Sequence, residues 1–510
     1  MQRRNPLIIA VAMISAVVLV VVPTAWADSD LNNDGFDDLA VGVPSEGVGG
    51  QNLAGAVNIF PGAASGVIRI GDKLFDQSDL GGTVEAFDRF ANAIAYGDFD
   101  GDGFDDVALG APAEDWAGRR DAGVVHIIYG SGSGANRNDN QLLSQRGPMA
   151  GINESGDFFG ARVAAGDFNG DGFDDVVVGI PGEDVKGRIA AGGIVVAFGS
   201  PSGIRTSGSK FMSERGKVPG AHENFDSFGS TLAVGNFNGD AYDDVAIGTP
   251  GEDVGGAPDA GAVKVLYGRK SGLNPAGEAF HKANIGIGVL TESDQFGYAL
   301  TAGDFDNDGD DDLAIGVRGH RASGVSSSGG VVILQGSPGA AGLAHAGARL
   351  ITQGDIAGGE DEAGDEFGFS LAAGKFDGGA DDLAVGVPSE GVSGLEDAGR
   401  VVIILGSAGG GLNTATTQSI TQNTLAGQVS EAGDGFGTTM RVGNFDNDGF
   451  DDLAVGSPSE DIAGRVDNGL VEIVFGSGSG LNPANVDRLH QGKKFVKGTA
   501  ERNDQFGEGL

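Results

Sequence analysis

The 510-residue chain contains no cysteine, so no disulfide can hold it together and no thiol can act as nucleophile or metal ligand. Basic residues are scarce: 32 lysines and arginines stand against 72 aspartates and glutamates, a formal charge of −40. Such a charge excludes nucleic acid and anionic membranes as partners and favours cations or neutral ligands. Beyond residue 22 there is no long apolar run, whereas a membrane-spanning helix needs about 20 residues. No membrane span is therefore expected in the mature chain. The 94 glycines have no three-residue period that would indicate collagen, and recurring β-branched runs argue against disorder.

The one apolar run, Leu7 to Val22, follows Arg3 and Arg4 and precedes "PTAWA", the plan of a secretory signal. Residues 1–27 are read as a signal peptide cleaved after Ala27. Without its two arginines the mature chain carries −42, and it is expected to be secreted and extracellular, free or associated with the cell surface.

What fills the rest is a repeat. "GDFDGDGFDDVALGAP" from Gly97 has near-copies beginning at Ser29, Gly166, Gly235, Gly303, Gly374 and Gly443. The loops start at 30, 98, 167, 236, 304, 375 and 444, spacings of 68 to 71 residues, and a fixed period of this size means a propeller, solenoid or array. Each unit reads as four short strands with turn signals between them, the blade of a β-propeller. The 483 residues after the signal divide by seven into units of 69, which leaves none for a separate catalytic domain. The first unit lacks the "DxFG" segment that opens the others, and the chain ends on an orphan copy, "DQFGEGL". The expected fold is all-β: residues 28–510 form a seven-bladed propeller of four-stranded antiparallel blades. Blades start near 88, 157, 226, 294, 365 and 434, and a closing blade combines 504–510 with 28–87, which would remove exposed sheet edges.

Within each loop, positions 1, 3, 5 and 9 carry oxygen side chains, position 7 offers a backbone carbonyl, and position 6 is usually a bending glycine. The ligand sets are Asp30, Asn32, Asp34, Phe36 and Asp38; Asp98, Asp100, Asp102, Phe104 and Asp106; and Asp167, Asn169, Asp171, Phe173 and Asp175. They continue with Asn236, Asn238, Asp240, Tyr242 and Asp244; Asp304, Asp306, Asp308, Asp310 and Asp312; and Asn444, Asp446, Asp448, Phe450 and Asp452. Hard oxygens at alternating positions on a glycine-bent loop suit Ca²⁺, which takes six to eight oxygens, better than Mg²⁺, which demands a strict octahedron. An EF-hand is excluded because position 12 is Leu109 or Val178, where that motif needs a bidentate glutamate. Ala241 replaces the bending glycine in the fourth loop, where positive φ would strain it, so that loop is expected to bind weakly. The sixth loop has Lys375 at position 1 and is one residue short, and is expected to be metal-free. Five or six calcium sites, mainly structural, follow as the substitute for disulfides.

Repeated "DxFG", "DxDxDGxxD" and "GxP" together resemble the FG-GAP repeats of the integrin alpha-subunit head, in its exported bacterial form. "FG" stands at Phe159-Gly160, Phe228-Gly229, Phe296-Gly297, Phe367-Gly368, Phe436-Gly437 and Phe506-Gly507; Phe90 is followed instead by Ala91, and Arg318 replaces the proline seen at Pro112, Pro181 and Pro250. The resemblance implies a seven-bladed propeller with calcium loops on one face and ligand recognition on the other. On that other face, residues that break the repeat are the candidate contacts: Trp116 with Arg119 and Arg120, and His320 with Arg321. Tryptophan can stack on a sugar or fill a protein pocket, and arginine supplies forked donors.

The serines of "GSGSG" at 130–134, "GSPSG" at 199–203 and "GSGSG" at 476–480 fall at a recurring turn between strands. A nucleophile elbow sits between a strand and a helix, so these serines are read as turn residues. Six histidines, His126, His222, His281, His320, His345 and His490, form no local metal or triad signature. The chain is therefore expected to be no enzyme but an adhesion or ligand-binding module for an unidentified protein or glycan. The alternatives are a polysaccharide-acting hydrolase or lyase, or a structural subunit of a surface assembly.

Overall fold

A computed structural model describes residues 6–13, 16–23, 29–215, 218–337, 342–462, 464–491, 496–498 and 501–510. The cleavage point after Ala27 lies outside them. Pro6–Met13 and Ala16–Pro23 pair antiparallel and join no other sheet. No helix of the described residues is long and apolar enough to cross a membrane.

The remaining strands form a seven-bladed β-propeller: six four-stranded antiparallel sheets and one of three strands. The third blade is typical. Arg162–Gly166, Asp175–Ile180, Gly193–Phe198 and Arg205–Met212 are hydrogen-bonded in that order. Its second strand, "DVVVGI", is buried along its whole length because neighbouring blades cover both faces, which is why it is apolar without alternation. The fourth strand is only partly buried. First strands of successive blades lie against one another, which places them nearest the axis.

The repeated motifs are explained by blade-to-blade packing. Phe90, Phe159, Phe228, Phe296, Phe367, Phe436 and Phe506 are all fully buried. Phe228, for example, packs with Val177, Ile194, Val245 and Ile247 from two adjacent sheets. The two motif glycines meet each other: a Cβ on Gly179 would lie 2.1 Å from the carbonyl oxygen of Gly229, whose φ is +90°. Backbones this close tolerate no side chain at either position.

Three strands, Leu39–Val43, Ala56–Phe60 and Lys73–Phe75, make the first blade. The strand expected from 504–510 is reduced to one bridge, Gly42↔Gly509, with Gly42 N–H donating to Gly509 O at 2.7 Å and Gly507 N–H to Gly42 O at 3.1 Å. It matches the Thr439↔Gly456 rung that begins the ladder in the seventh blade. Phe506 packs edge-on against Phe60, so the segment is anchored by its apolar contact.

Candidate metal loops and binding face

In an up-and-down blade the loops from strand 1 to 2 and from 3 to 4 share one end, and those from 2 to 3 and from blade to blade share the other. The acidic loops occupy the first end.

There the loop wraps its own backbone around the first side chain. Asp98 accepts from Gly101 N–H at 2.7 Å and Asp102 N–H at 3.1 Å on one oxygen, and from Gly103 N–H at 3.1 Å on the other. Position 5 accepts from position 7, as in Asp102 with Phe104 N–H at 3.0 Å. Position 9 is buried and tied to the next turn: Gly130 N–H donates to Asp106 at 2.8 Å, and the same bond recurs at Asp38, Asp175, Asp244, Asp312 and Asp452. Oxygens of Asp98, Asp100 and Asp106 lie within 4.8 Å of one another, as do those of Asp304, Asp306 and Asp308. Burial, opposed by backbone hydrogen bonds and reinforced by neighbouring carboxylates, pushes Asp38, Asp106, Asp175, Asp244, Asp312 and Asp452 up to about 8. These residues fit a hard divalent cation: oxygen donors only, converging, in a place that penalises uncompensated charge.

Two departures are resolved. Ala241 does not adopt positive φ, so the strain expected there is absent. Asn236 presents a donor where aspartate has a second oxygen, and its amide binds the Asp240 carbonyl at 2.9 Å, so residue 241 need not turn inward. In the sixth loop Asp377 accepts from Gly379 N–H at 2.8 Å.

The aspartate at position 8, to which the motif reading gave no role, clamps blade to blade. Asp105 accepts from Asp30 N–H at 3.1 Å, Asp174 from Asp98 at 2.9 Å, Asp243 from Asp167 at 2.8 Å and Asp311 from Asn236 at 2.7 Å. Asp381 accepts from Asp304 and Asp451 from Lys375, both at 2.8 Å, and Asp37 from Asn444 at 2.6 Å. The signal was present: the "DD" doublet survives even in the sixth loop, which has lost its first ligand.

At the far end, each blade junction buries a polar triad. Gln77 donates to Glu114 at 2.7 Å, Gln145 to Glu183 at 3.0 Å, Gln353 to Glu390 and Gln422 to Glu460 at 2.6 Å, and Gln491 to Glu46 at 2.7 Å. The "DxFG" aspartates Asp88, Asp157, Asp365, Asp434 and Asp504 stand beside these pairs as charge neighbours. Burial is the largest cause that raises Glu114 and Glu460 to about 8, Glu46 and Glu183 to about 7, and Asp88, Asp157, Asp434 and Asp504 to about 6. Acids raised in the folded state favour folding below the ordinary carboxylate range and lose that contribution as pH climbs through the folded values. In chelator, the melting temperature is therefore expected to fall by several degrees from pH 5 to pH 8. A flat or rising profile in calorimetry contradicts this.

His320, expected as a ligand contact, occupies the triad's glutamate position and faces Lys282 Nζ at 3.2 Å. Trp116 is half-buried against the cores of the first two blades. Arg119, Arg120 and Arg321 are exposed. Arg318, in the proline position, lies 4.8 Å over Tyr298 and 5.2 Å over Phe369 and pairs with Glu366 at 2.9 Å. The turn serines bond within their turns: Ser131, Ser200 and Ser477 donate to Gly134, Gly203 and Gly480.

Large exposed apolar side chains were missed by sequence reasoning. Among the described residues there are nine, and eight lie at the far end: Phe87, Ile152, Phe158, Ile189, Phe225, Val289, Val429 and Val466. Phe87, Phe158 and Phe225 also have positive φ, at 77°, 56° and 67°. At the position of Phe87 and Phe225, before the "DxFG" aspartate, three other blades have Gly156, Gly364 and Gly433. Glycine at three of seven copies was the available signal that this position is left-handed.

The same end holds a cavity of about 480 Å³ lined by Ile152, Glu183, Phe211, Met212, Arg215 and Val218, among others. Glu183 is not singled out by its raised pKa, since Glu114 and Glu460 share the shift.

A family model described as FG-GAP repeat matches residues 27–60, 90–128, 159–198, 228–266, 296–334 and 436–472. The unit with Lys375 lies outside these ranges. Among curated proteins, phosphatidylinositol-glycan-specific phospholipase D of Bos taurus is 32% identical over 182 residues, 36% of this chain and 21% of that protein. Integrin alpha-PS2 of Drosophila melanogaster is 29% identical over 230 residues, 44% of this chain and 15% of its own. Integrin alpha-V of Gallus gallus is 30% identical over 252 residues, 48% and 20%. The chain thus spans about a fifth of the length of these relatives. Solved structures that align over most of the chain include the exotype rhamnogalacturonan lyase YesX, at 13% identity and TM-score 0.35, covering 94% of this chain and 90% of that one. The Bacillus licheniformis rhamnogalacturonan lyase PL11 aligns at 12% identity and TM-score 0.34, over 98% and 91%.

Proposed function

Because the chain is an FG-GAP repeat protein with distant homology to integrin alpha subunits and to phosphatidylinositol-glycan-specific phospholipase D, we propose that it is an exported calcium-binding propeller whose far end binds a protein or glycan ligand without catalysing a reaction. The observation that carries this reading is the segregation of its two ends. The acidic loops mark one, and among the described residues eight of nine exposed large apolar side chains lie at the other. Exposed apolar side chains that form a contiguous patch mark an interaction site. Backbone strain at Phe87 and Phe225, where glycine would be unstrained, supports the same reading, since strain persists where selection favours the side chain itself.

Calcium at the acidic loops fits their oxygen donors and supplies the staple that absent disulfides cannot. Completion of the first blade by residues 504–510 is part of the same proposal, supported by the Gly42↔Gly509 rung.

Phe225→Gly tests the binding face. Relief of the left-handed conformation is expected to stabilise the fold by about 1 kcal/mol. The Phe87→Gly/Phe225→Gly pair, with the whole chain in calcium, should lose binding to an array of surface polysaccharides and cell-surface proteins that retains the wild type. Full retention by a double variant that melts no lower than wild type overturns the assignment of this face. Failure of the wild type to bind any array member removes direct adhesion and leaves the subunit reading. The cavity beside Glu183 supports an enzymatic alternative. Unsaturated or reducing products released from a polysaccharide by wild type, but not by Glu183→Gln, would replace the non-catalytic reading.

A further inference from the structure

We infer that four of the seven blade junctions are a second set of cation sites, built from a glutamine, a glutamate and an aspartate at the end opposite the acidic loops. The junctions are those of Gln77, Glu114 and Asp88; Gln145, Glu183 and Asp157; Gln422, Glu460 and Asp434; and Gln491, Glu46 and Asp504.

The argument is internal to the repeat. All seven junctions place a carboxylate pair, or its replacement, out of water, yet three carry a cation of the protein's own. Where Gln145 is expected by period, the next junction has Glu214, and Lys264 Nζ reaches it at 3.0 Å with both side chains essentially inaccessible. Glu214, Asp226 and Glu252 there bring oxygens within 4.8 Å of one another, which fixes the geometry of the triad. The following junction places Lys282 in the glutamine position, 2.8 Å from Asp294. Arg400 pairs with Glu390 at 2.9 Å in the next. A buried carboxylate pair demands such compensation.

At three of the other four the cations act less directly: Arg119 and Arg465 reach Asp157 and Asp504 only through their charge, and Arg488 pairs with Glu472 beside Gln422 and Glu460. All four share with the Arg400 junction a glutamine whose amide donates to the glutamate and whose own oxygen is buried without a partner: Gln77 and Gln353 are 1% exposed, Gln145 and Gln491 4%, and Gln422 0%. The aspartate is already oriented by a backbone N–H three residues earlier, Glu85 to Asp88 at 2.7 Å and Glu154 to Asp157 and Glu431 to Asp434 at 2.6 Å. Two carboxylates and an amide carbonyl, desolvated at one junction, are the donors a hard cation such as Ca²⁺ accepts. The ammonium groups of Lys264 and Lys282 stand in for it where it is not needed. A cation beside Asp88 and Asp157 would also hold the loops that present Phe87 and Phe158.

The test is a subtraction that does not depend on the acidic loops. Gln77→Lys/Gln145→Lys places the ammonium of Lys282 in two junctions. Native mass spectrometry of the full chain in calcium should count two fewer ions than wild type, with the melting temperature in chelator unchanged or higher. Terbium-soaked wild-type crystals should show anomalous peaks at the four junctions and none at Lys264, Lys282 or Arg400. An unchanged ion count in a folded variant, or anomalous peaks confined to the acidic loops, would show that protons rather than cations neutralise the junctions, and overturns the proposal.

Discussion

Chelating calcium is expected to lower the melting temperature of the full chain by about 7 °C or more. Filling one site at ten times its dissociation constant contributes about 1.4 kcal/mol, so five loops contribute about 7 kcal/mol. Unfolding entropy of about 2.1 cal/mol/K per residue makes 1 kcal/mol worth about 1 °C in a chain of this length. The sum is of the order of a whole domain's net stability, about 5–15 kcal/mol. Differential scanning calorimetry with calcium and with chelator reads it directly. Asp106→Asn, which keeps shape but weakens the second loop's buried ligand, should take away part of the calcium-dependent increment. Asp377→Asn, in the loop with Lys375 at position 1, should leave that increment intact. Equal melting temperatures in both buffers would remove calcium as the staple and return the question of what offsets a charge of −40.

Replacing Phe228 with alanine should destabilise the fold by about 3–5 kcal/mol, the range for deleting a fully buried phenylalanine. Its ring fills the wedge between two blades, and its N–H donates to Ala191 O at 3.1 Å, so the backbone holds the cavity open rather than closing it. Phe225, three residues earlier, is 62% exposed and should respond in the opposite direction, gaining stability as glycine while losing ligand. Urea denaturation of the two single variants compares them on one scale. A Phe228→Ala midpoint within error of wild type means that the FG phenylalanine does not join the blades.

These outcomes divide along how far apart the interacting residues lie. Seven blades, the buried second strands and the ligand spacing of the acidic loops were legible because each is written within one contiguous stretch: nine residues for a loop, six for a strand. The fold class and the turn role of the glycine-flanked serines followed from the same local record. Even the weakness expected of the fourth loop illustrates the limit, because the strain assigned to Ala241 vanished once Asn236 bonded the loop in another way.

The sequence by itself determined the repeat, its period, the acidic loops and the absence of any covalent staple. Only the tertiary structure decided what the copies do to one another. The clamp from Asp98 N–H to Asp174 spans 76 residues, and the Gln145–Glu183 pair spans 38, so neither bond exists until adjacent blades are in register. Exposure is equally non-local: Phe225 and Phe228 are the same residue type three positions apart, and neighbouring sheets cover one and leave the other in water. His320 was read as a surface contact for that reason, since only the packed junction reveals Lys282 beside it. Spacing along the chain fixes which side chains converge within a loop, whereas burial and charge compensation are properties of the interface between loops.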